Sequence, residues 1–529
     1  MTSITTRFGA SALAAALVLG SAACTDLDLE PLDTATPNIL FRDEASYTSA
    51  IAKVYAGLAV TGQTGPAGSS DITGLDEGFG NYVRALWKLQ ELPTDECVIA
   101  WQDPGLPELV QTTWSPNNGF INAMYARIYF QVSLANEFIR ESAPELLDER
   151  GIREAFRPTI EDYQAEARFL RALSYYHALD LFGRGPLYDE TQTVGSAVPQ
   201  QGDASQLFDF VETELAAIAE LLPAPGAAEY GRVDQAAVWS LQSMLFLNAQ
   251  VYVGQERYSD AAAAAQKVID SGAYSLDEDY QALFRADNDQ ATGIVFAVPF
   301  DGDNTQSFGG TTFLVHAPLG GEVDALAFGV NSGWGGLRAT PEFVSFFDDI
   351  TGESDERAIF FTEGQTLDIV DLDQFSQGYI VPKWTNLRAD GSVGSDLVHP
   401  DTDFPLFRLA DAHLNYAEAV LRGGSGDRGR ALELVNDLRR RAYDSDNFAI
   451  TDGDFDLEVL LGERTRETYW EGKRRTDLRR YGRYTGGDYV WTFKGNAVEG
   501  AALPDFRALY PIPASELISN PNLTQNPGY

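Results

Sequence analysis

The chain has 529 residues, a length that would suit three or four domains of roughly 150 residues. Its 44% hydrophobic and 12% aromatic content is enough for a large core and excludes disorder over most of its length. Acidic residues outnumber basic ones 78 to 38, for a formal charge of -40; a surface of that sign repels phosphate backbones and anionic headgroups, so neither nucleic acid nor a lipid surface is an expected partner.

The N-terminus reads as a targeting segment over 1–23. Arg7 supplies a positive start, and Ala10 to Gly20 is apolar but shorter than the ~20 residues that span a bilayer. Ser21-Ala22-Ala23 then precede Cys24, the small residues that a bacterial lipid-attachment signal needs, with Ser21 where Leu is commonest. Cys24 is the expected acylation site, and its chains would hold the protein to a membrane at about 0.8 kcal/mol per buried methylene. Cys97 is the other cysteine, so a disulfide framework is excluded by count. Residues 24–38, acidic and Pro-containing, read as a tether.

Helical periodicity dominates from there on. Tyr47, Ile51, Val54 and Leu58 form one apolar stripe, and residues 59–80 form a Gly-, Ser- and Asp-rich loop. Ile121 to Ile139 predicts a long helix, and so does Glu161 to Phe182, stopped by Gly183 and Pro186. Further helices are predicted at 206–222, 235–252 and 258–269, and a second helix–turn–helix unit at 406–421 and 428–441. This rhythm is like that of tetratricopeptide pairs, which must stack to bury their apolar faces. Between the units lies an irregular insert at about 273–405, with strand-like runs at 293–300 and 310–315. Long irregular inserts on rigid scaffolds are where binding usually sits. By composition alone the last stretch, LYPIPASELISNPNLTQNPGY, holds too many Pro and Asn residues for regular structure.

Several segments together resemble the SusD/RagB family of outer-membrane nutrient-binding lipoproteins: LPTDECVIA (92–100), EARFLRALSYYHALDLFGRGPL (166–187), FPLFRLADAHLNYAEAVLRGG (404–424), ELVNDLRRRA (433–442), GERTRETYWEGKRRTDLRRYG (462–482) and the C-terminal LYPIPASELISNPNLTQNPGY. The resemblance implies a mostly α fold over 39–529, with about four tetratricopeptide-like helix pairs and a large irregular insert of loops and short strands that carries the ligand site. It also implies an ordered C-terminal segment and a lipid anchor at the outer face of the outer membrane. The implied role is capture of an oligosaccharide or related nutrient, without catalysis, for a SusC-like TonB-dependent transporter.

Candidate contacts follow from the chemistry of sugars, which need flat apolar faces and polar groups at their edges. Trp101, with Gln102 and Asp103 beside it, precedes a Pro-Gly turn, in a region that contributes to the glycan site of starch-binding members. Trp334 sits among glycines. Tyr82 and Arg84, with Asn81, close the first loop, and Phe308 lies in a Gly-rich one. Trp87, Trp114 and Trp239 lie in or beside helical patterns and read as core.

The Arg-rich stretch 463–483 reads as salt-bridged, because Glu463, Glu467, Glu471 and Asp477 interleave with its arginines at helical spacing. No metal site is assigned: the four histidines show no ligand spacing. The acidic DGDN (301–304) and ADND (286–289) clusters would suit structural calcium but lack the spacing of an EF-hand. Two other functions are weighed: a glycan-degrading enzyme, which would need two carboxylates in a cleft, and a tetratricopeptide scaffold without small-ligand binding.

Overall fold

The computed structural model describes residues 37–62, 64–66, 70–192, 195 and 197–529. The leader, Cys24 and nearly all of the 24–38 tether lie outside the described residues.

The predicted stripes become packed helices. Glu44–Ala59 starts at Asp43, whose carboxylate accepts the Ser46 amide while Ser46 caps it in return, and it buries Tyr47, Ile51, Val54 and Leu58. Gly119–Glu141 packs on Arg157–Phe182, which in turn packs on Ala204–Ile218. Arg157–Phe182 is enclosed along most of its length and stops at Gly183, whose φ of 68° and amide close the last turn. Gln235–Leu247 pairs with Tyr258–Asp270, which leans on Leu409–Leu421, and that helix pairs with Arg428–Tyr443. This is the mostly α, tetratricopeptide-like stack, with helices paired through short links.

Three expected elements differ. The helix expected over 235–252 breaks at Asn248, where the side chain turns back to the Met244 carbonyl and accepts from Arg480; a separate turn follows at Ala249–Val253. The helix expected from 406 begins at Leu409, because Phe404–Arg408 is a strand paired antiparallel with Ile294–Val298. The strand-like run at 310–315 is a helical turn, Gly310–His316, that drives Phe313 edge-on against Trp87; six residues are too few for periodicity to separate the two states.

The C-terminal segment is ordered. Tyr510 and Ile512 are fully buried, the Tyr510 hydroxyl donates to the Leu89 carbonyl, and Asn526 Nδ2 bridges the carbonyls of Phe182 and Tyr510. Its Asn side chains make tertiary hydrogen bonds, and Ala514–Ser519 forms a short helix after Pro513 where composition alone argued against regular structure. A second antiparallel pair joins Cys97–Ile99 to Leu337–Ala339 of the insert, with Cys97 opposite Ala339 and Ile99 opposite Leu337. That pair positions the candidate site.

Candidate glycan-binding surface

The short ladder continues one step past Ile99, where the Ala100 amide donates to the Gly336 carbonyl at 2.9 Å. Trp101 and Trp334 therefore emerge side by side where the two strands part. Their rings lie 6.2 Å apart and tilted by 46°, and the Trp101 Nε1–H donates to the Trp334 carbonyl at 3.1 Å. Gly336 permits this: a Cβ there would lie 2.6 Å from the Trp101 indole. Both indoles are half-buried, each fixed along one edge and open on part of its surface.

Arg84 lies behind them on the helix Tyr82–Glu91. Its guanidinium sits 4.4 Å from the Phe313 ring centroid and 5.9 Å from that of Trp101, and Nη1 donates to the Phe308 carbonyl at 2.8 Å. Burial pushes its pKa down to about 10, opposed by the negative charges of Asp76 and Asp103. Phe308 is half-buried and packs 5.3 Å from His399. Gln102 and Asp103 are exposed at the rim. The fold thus gathers Trp101, Gln102, Asp103, Trp334 and Phe308 on one face, whereas Arg84, expected as a ligand contact, is buried behind them by its packing on Phe313.

Asn81 and Tyr82 do not join it. Asn81 is fully buried: its Oδ1 caps the helix at the Arg84 amide and also accepts from the Gly310 amide, and its Nδ2 donates to the Ala59 carbonyl. Tyr82 is 2% exposed, with its hydroxyl 2.8 Å from His177 Nδ1. Loop-adjacent position suggested access to ligand; in the structure both residues serve a helix start buried under its own loop. Trp87 and Trp114 are core residues as expected, and Trp239 is half-buried.

Comparison with known proteins places this geometry. The chain is 34% identical to the starch-binding protein SusD of Bacteroides thetaiotaomicron over 98% of this chain and 98% of that protein. A sequence model of the SusD family matches residues 356–529. The chain belongs to the SusD family. A SusD-like protein of Formosa agariphila is 25% identical over 97% of this chain and 98% of its own length. Two solved structures share the fold of this SusD-family chain. One is a SusD superfamily protein of Parabacteroides distasonis, with TM-score 0.71, 22% identity and coverage of 92% of this chain and 99% of that one. The other is surface glycan-binding protein A of B. thetaiotaomicron in complex with laminarihexaose, with TM-score 0.69, 20% identity and coverage of 91% and 99%.

Two groups at this surface escaped the sequence reading. Phe375 lies over Gly320 and Gly335, on the far flank of the Trp334 loop. His316 stacks on Trp334 at 4.8 Å and 20°. Neither sits in a motif, because both approach from parts of the insert remote in sequence.

Clefts of about 530 Å³ beside Lys53, Asp303 and Gln306, and of about 500 Å³ beside Tyr230, Arg388 and Asp401, lie apart from the residues of this surface. A cavity of about 40 Å³ beside Gln90, His177 and Lys473 has room for water only. In the DGDN cluster the Asp301 carboxylate is taken up by the Asp303 and Asn304 amides of its own turn, and in ADND Asp287 accepts the Ala389 amide. Among the described residues no group of three or more His, Cys, Asp or Glu side chains is arranged to hold a metal ion.

Proposed function

We propose that this SusD-family chain is a surface-exposed outer-membrane lipoprotein that binds an oligosaccharide and passes it to a SusC-like TonB-dependent transporter, without cleaving it. Trp101 and Trp334 supply the apolar platform, Gln102 and Asp103 the polar rim, and Phe308 a further apolar edge, with Arg84 buried behind them and holding the Phe308 carbonyl. The observation that carries this reading is the pair of half-buried indoles, set side by side by a strand ladder and each partly exposed. Residues 1–23 act as the leader, Cys24 carries the acyl chains and 24–38 tether the folded part. Among the described residues no helix is long and apolar enough to cross a membrane, and the anchor does not require one. The names of the relatives, a starch-binding protein and a protein crystallised with laminarihexaose, support a glucan or similar glycan as ligand.

Stacking on an open surface gives about micromolar to millimolar affinity, which suits capture followed by release. Calorimetry with maltohexaose and laminarihexaose tests the reading, alongside a reducing-end assay. Binding of a glycan without the appearance of new reducing ends is expected. Cleavage would make the protein an enzyme, and failure to bind any glycan of a broad panel would reject the carbohydrate reading.

A further inference from the structure

His316 ends the helix Gly310–His316 and is 1% exposed. Its ring lies nearly parallel to the Trp334 indole. Both ring nitrogens face backbone carbonyls: Nδ1 is 2.6 Å from the Ser332 oxygen and Nε2 is 2.9 Å from the Val398 oxygen. Its own carbonyl accepts the Trp334 amide at 2.9 Å. One residue therefore ties three segments together: the end of its own helix, the loop that carries Trp334, and the loop that carries His399 beneath Phe308.

A carbonyl oxygen only accepts, and a neutral imidazole carries a single N–H. In the neutral form, one of these two contacts sets a nitrogen lone pair against an oxygen lone pair at hydrogen-bonding distance. Both contacts are hydrogen bonds only when the ring carries two protons. We infer that His316 is a positioning residue whose doubly protonated form locks the Trp334 loop to the 395–402 loop, so that the platform grips its ligand more tightly as the pH falls. This rests on the glycan-binding reading for its consequence, though not for its geometry.

The forces on the proton oppose one another. Burial lowers the pKa of His316, and the Ser332 and Val398 carbonyls raise it. His399 is the titratable neighbour acting on it, from the 395–402 loop, and further lowers it; His399 in turn faces Asp396. The other groups that touch the His316 ring, Ser332, Trp334 and Val398, do not titrate in this range. The second proton is therefore taken up on the acid side of neutrality, and the loss of one hydrogen bond above it corresponds to about a fivefold change in affinity.

Two measurements on the intact mature protein decide this. In the first, the imidazole nitrogens of histidine-labelled protein are followed by NMR from about pH 5 to 8 without ligand, with His316 assigned from its absence in His316→Gln. Two N–H groups on the acid side and loss of one as the pH rises are expected; a single N–H across the range overturns the inference. In the second, the affinity for maltohexaose or laminarihexaose is measured over the same range. A weakening of about fivefold toward pH 8 is expected, absent in His316→Gln and retained in His399→Gln. A flat profile in the wild type, or a step that follows His399 in place of His316, also overturns it. If neither hexamer binds, the glycan reading fails for these ligands, and the NMR result alone still decides the state of His316.

Discussion

Two regions of this molecule combine arginine with aromatic rings and carboxylates, and use them to opposite ends. At the proposed binding surface, Arg84 is buried against Phe313 with its nearest carboxylate influences, Asp76 and Asp103, acting without an ion-pair contact. In the C-terminal helices Leu457–Thr468 and Arg474–Arg480, by contrast, buried charges are matched several-fold. Glu467 is paired with Arg357, Arg408 and Arg441, and Glu463 with Arg357, Arg439 and Arg466. Glu418 is paired with Arg422, Arg464 and Arg480, and Arg474 lies on Asp95 across the fold. Burying charge is costly unless opposite charge and hydrogen bonds answer it. The lattice answers its carboxylates with two or more cations each, although single nitrogens of Arg464, Arg466 and Arg479 stay without a hydrogen-bond partner. The surface leaves polar and aromatic capacity unspent at its rim, where a ligand can take it up.

Breaking the lattice should have the largest effect. Glu467→Ala leaves three buried guanidinium groups short of a partner and is expected to cost about 3–5 kcal/mol, read from chemical denaturation, while the remaining folded protein keeps its affinity for glycan. An unchanged unfolding midpoint would show that water reaches these arginines.

The pH dependence of stability should separate two kinds of buried carboxyl. Neighbouring cations hold the folded-state pKa values of Glu418 and Glu463 below the usual carboxylate range and that of Glu471 at about 2, despite burial. Their contribution is complete above the unfolded pKa of about 4.3 and is lost as the pH falls toward 2. Burial instead raises Glu91 to about 7, and Glu96 also rises, with the two carboxyls facing each other. There the folded state holds the proton more tightly, so that stabilisation is present below the unfolded pKa and is lost as the pH rises through about 7. Glu91→Gln should flatten the decline in unfolding free energy between about pH 4.3 and 7 and leave in place the acid limb set by Glu418, Glu463 and Glu471.

At the surface the order of effects reverses. Trp101→Ala and Trp334→Ala should each weaken glycan binding about tenfold or more, on the order of 1.5 kcal/mol, with a small change in thermal midpoint. Retained binding in both variants would move the site elsewhere or leave a scaffold without a ligand. Tyr82→Phe removes the buried hydroxyl contact to His177 and should cost about 1 kcal/mol of stability without altering affinity, which separates the buried helix start from the binding face.

How much of this was legible in the sequence depended on the range of the interaction. Apolar periodicity located the long helices to within a few residues, because the period of a helix is a local property. It failed where a tertiary partner decides: at Asn248, which breaks its helix and meets Arg480; at Phe404–Arg408, which pairs with a strand more than a hundred residues away; and at Gly310–His316, too short to show a period. The Arg-rich stretch was correctly read as salt-bridged, yet few of its pairs, such as Arg466–Glu463, Lys473–Glu471 and Arg480–Asp477, are local. Its other partners, such as Asp95, Asp180 and Glu418, arrive from other helices and loops.

Trp101 and Trp334 stood out as loop aromatics, but their adjacency came from the pairing of Cys97–Ile99 with Leu337–Ala339. Asn81 and Tyr82 looked accessible because a loop precedes them, and the packing of that loop enclosed them. By itself, the sequence determined the helical scaffold and the family, since these follow from local period and from the motifs that carry the resemblance. Tertiary structure alone decided which of the candidate residues share a face, which charges meet, and that a histidine lies behind the Trp334 platform, because each depends on contacts between segments far apart in the chain.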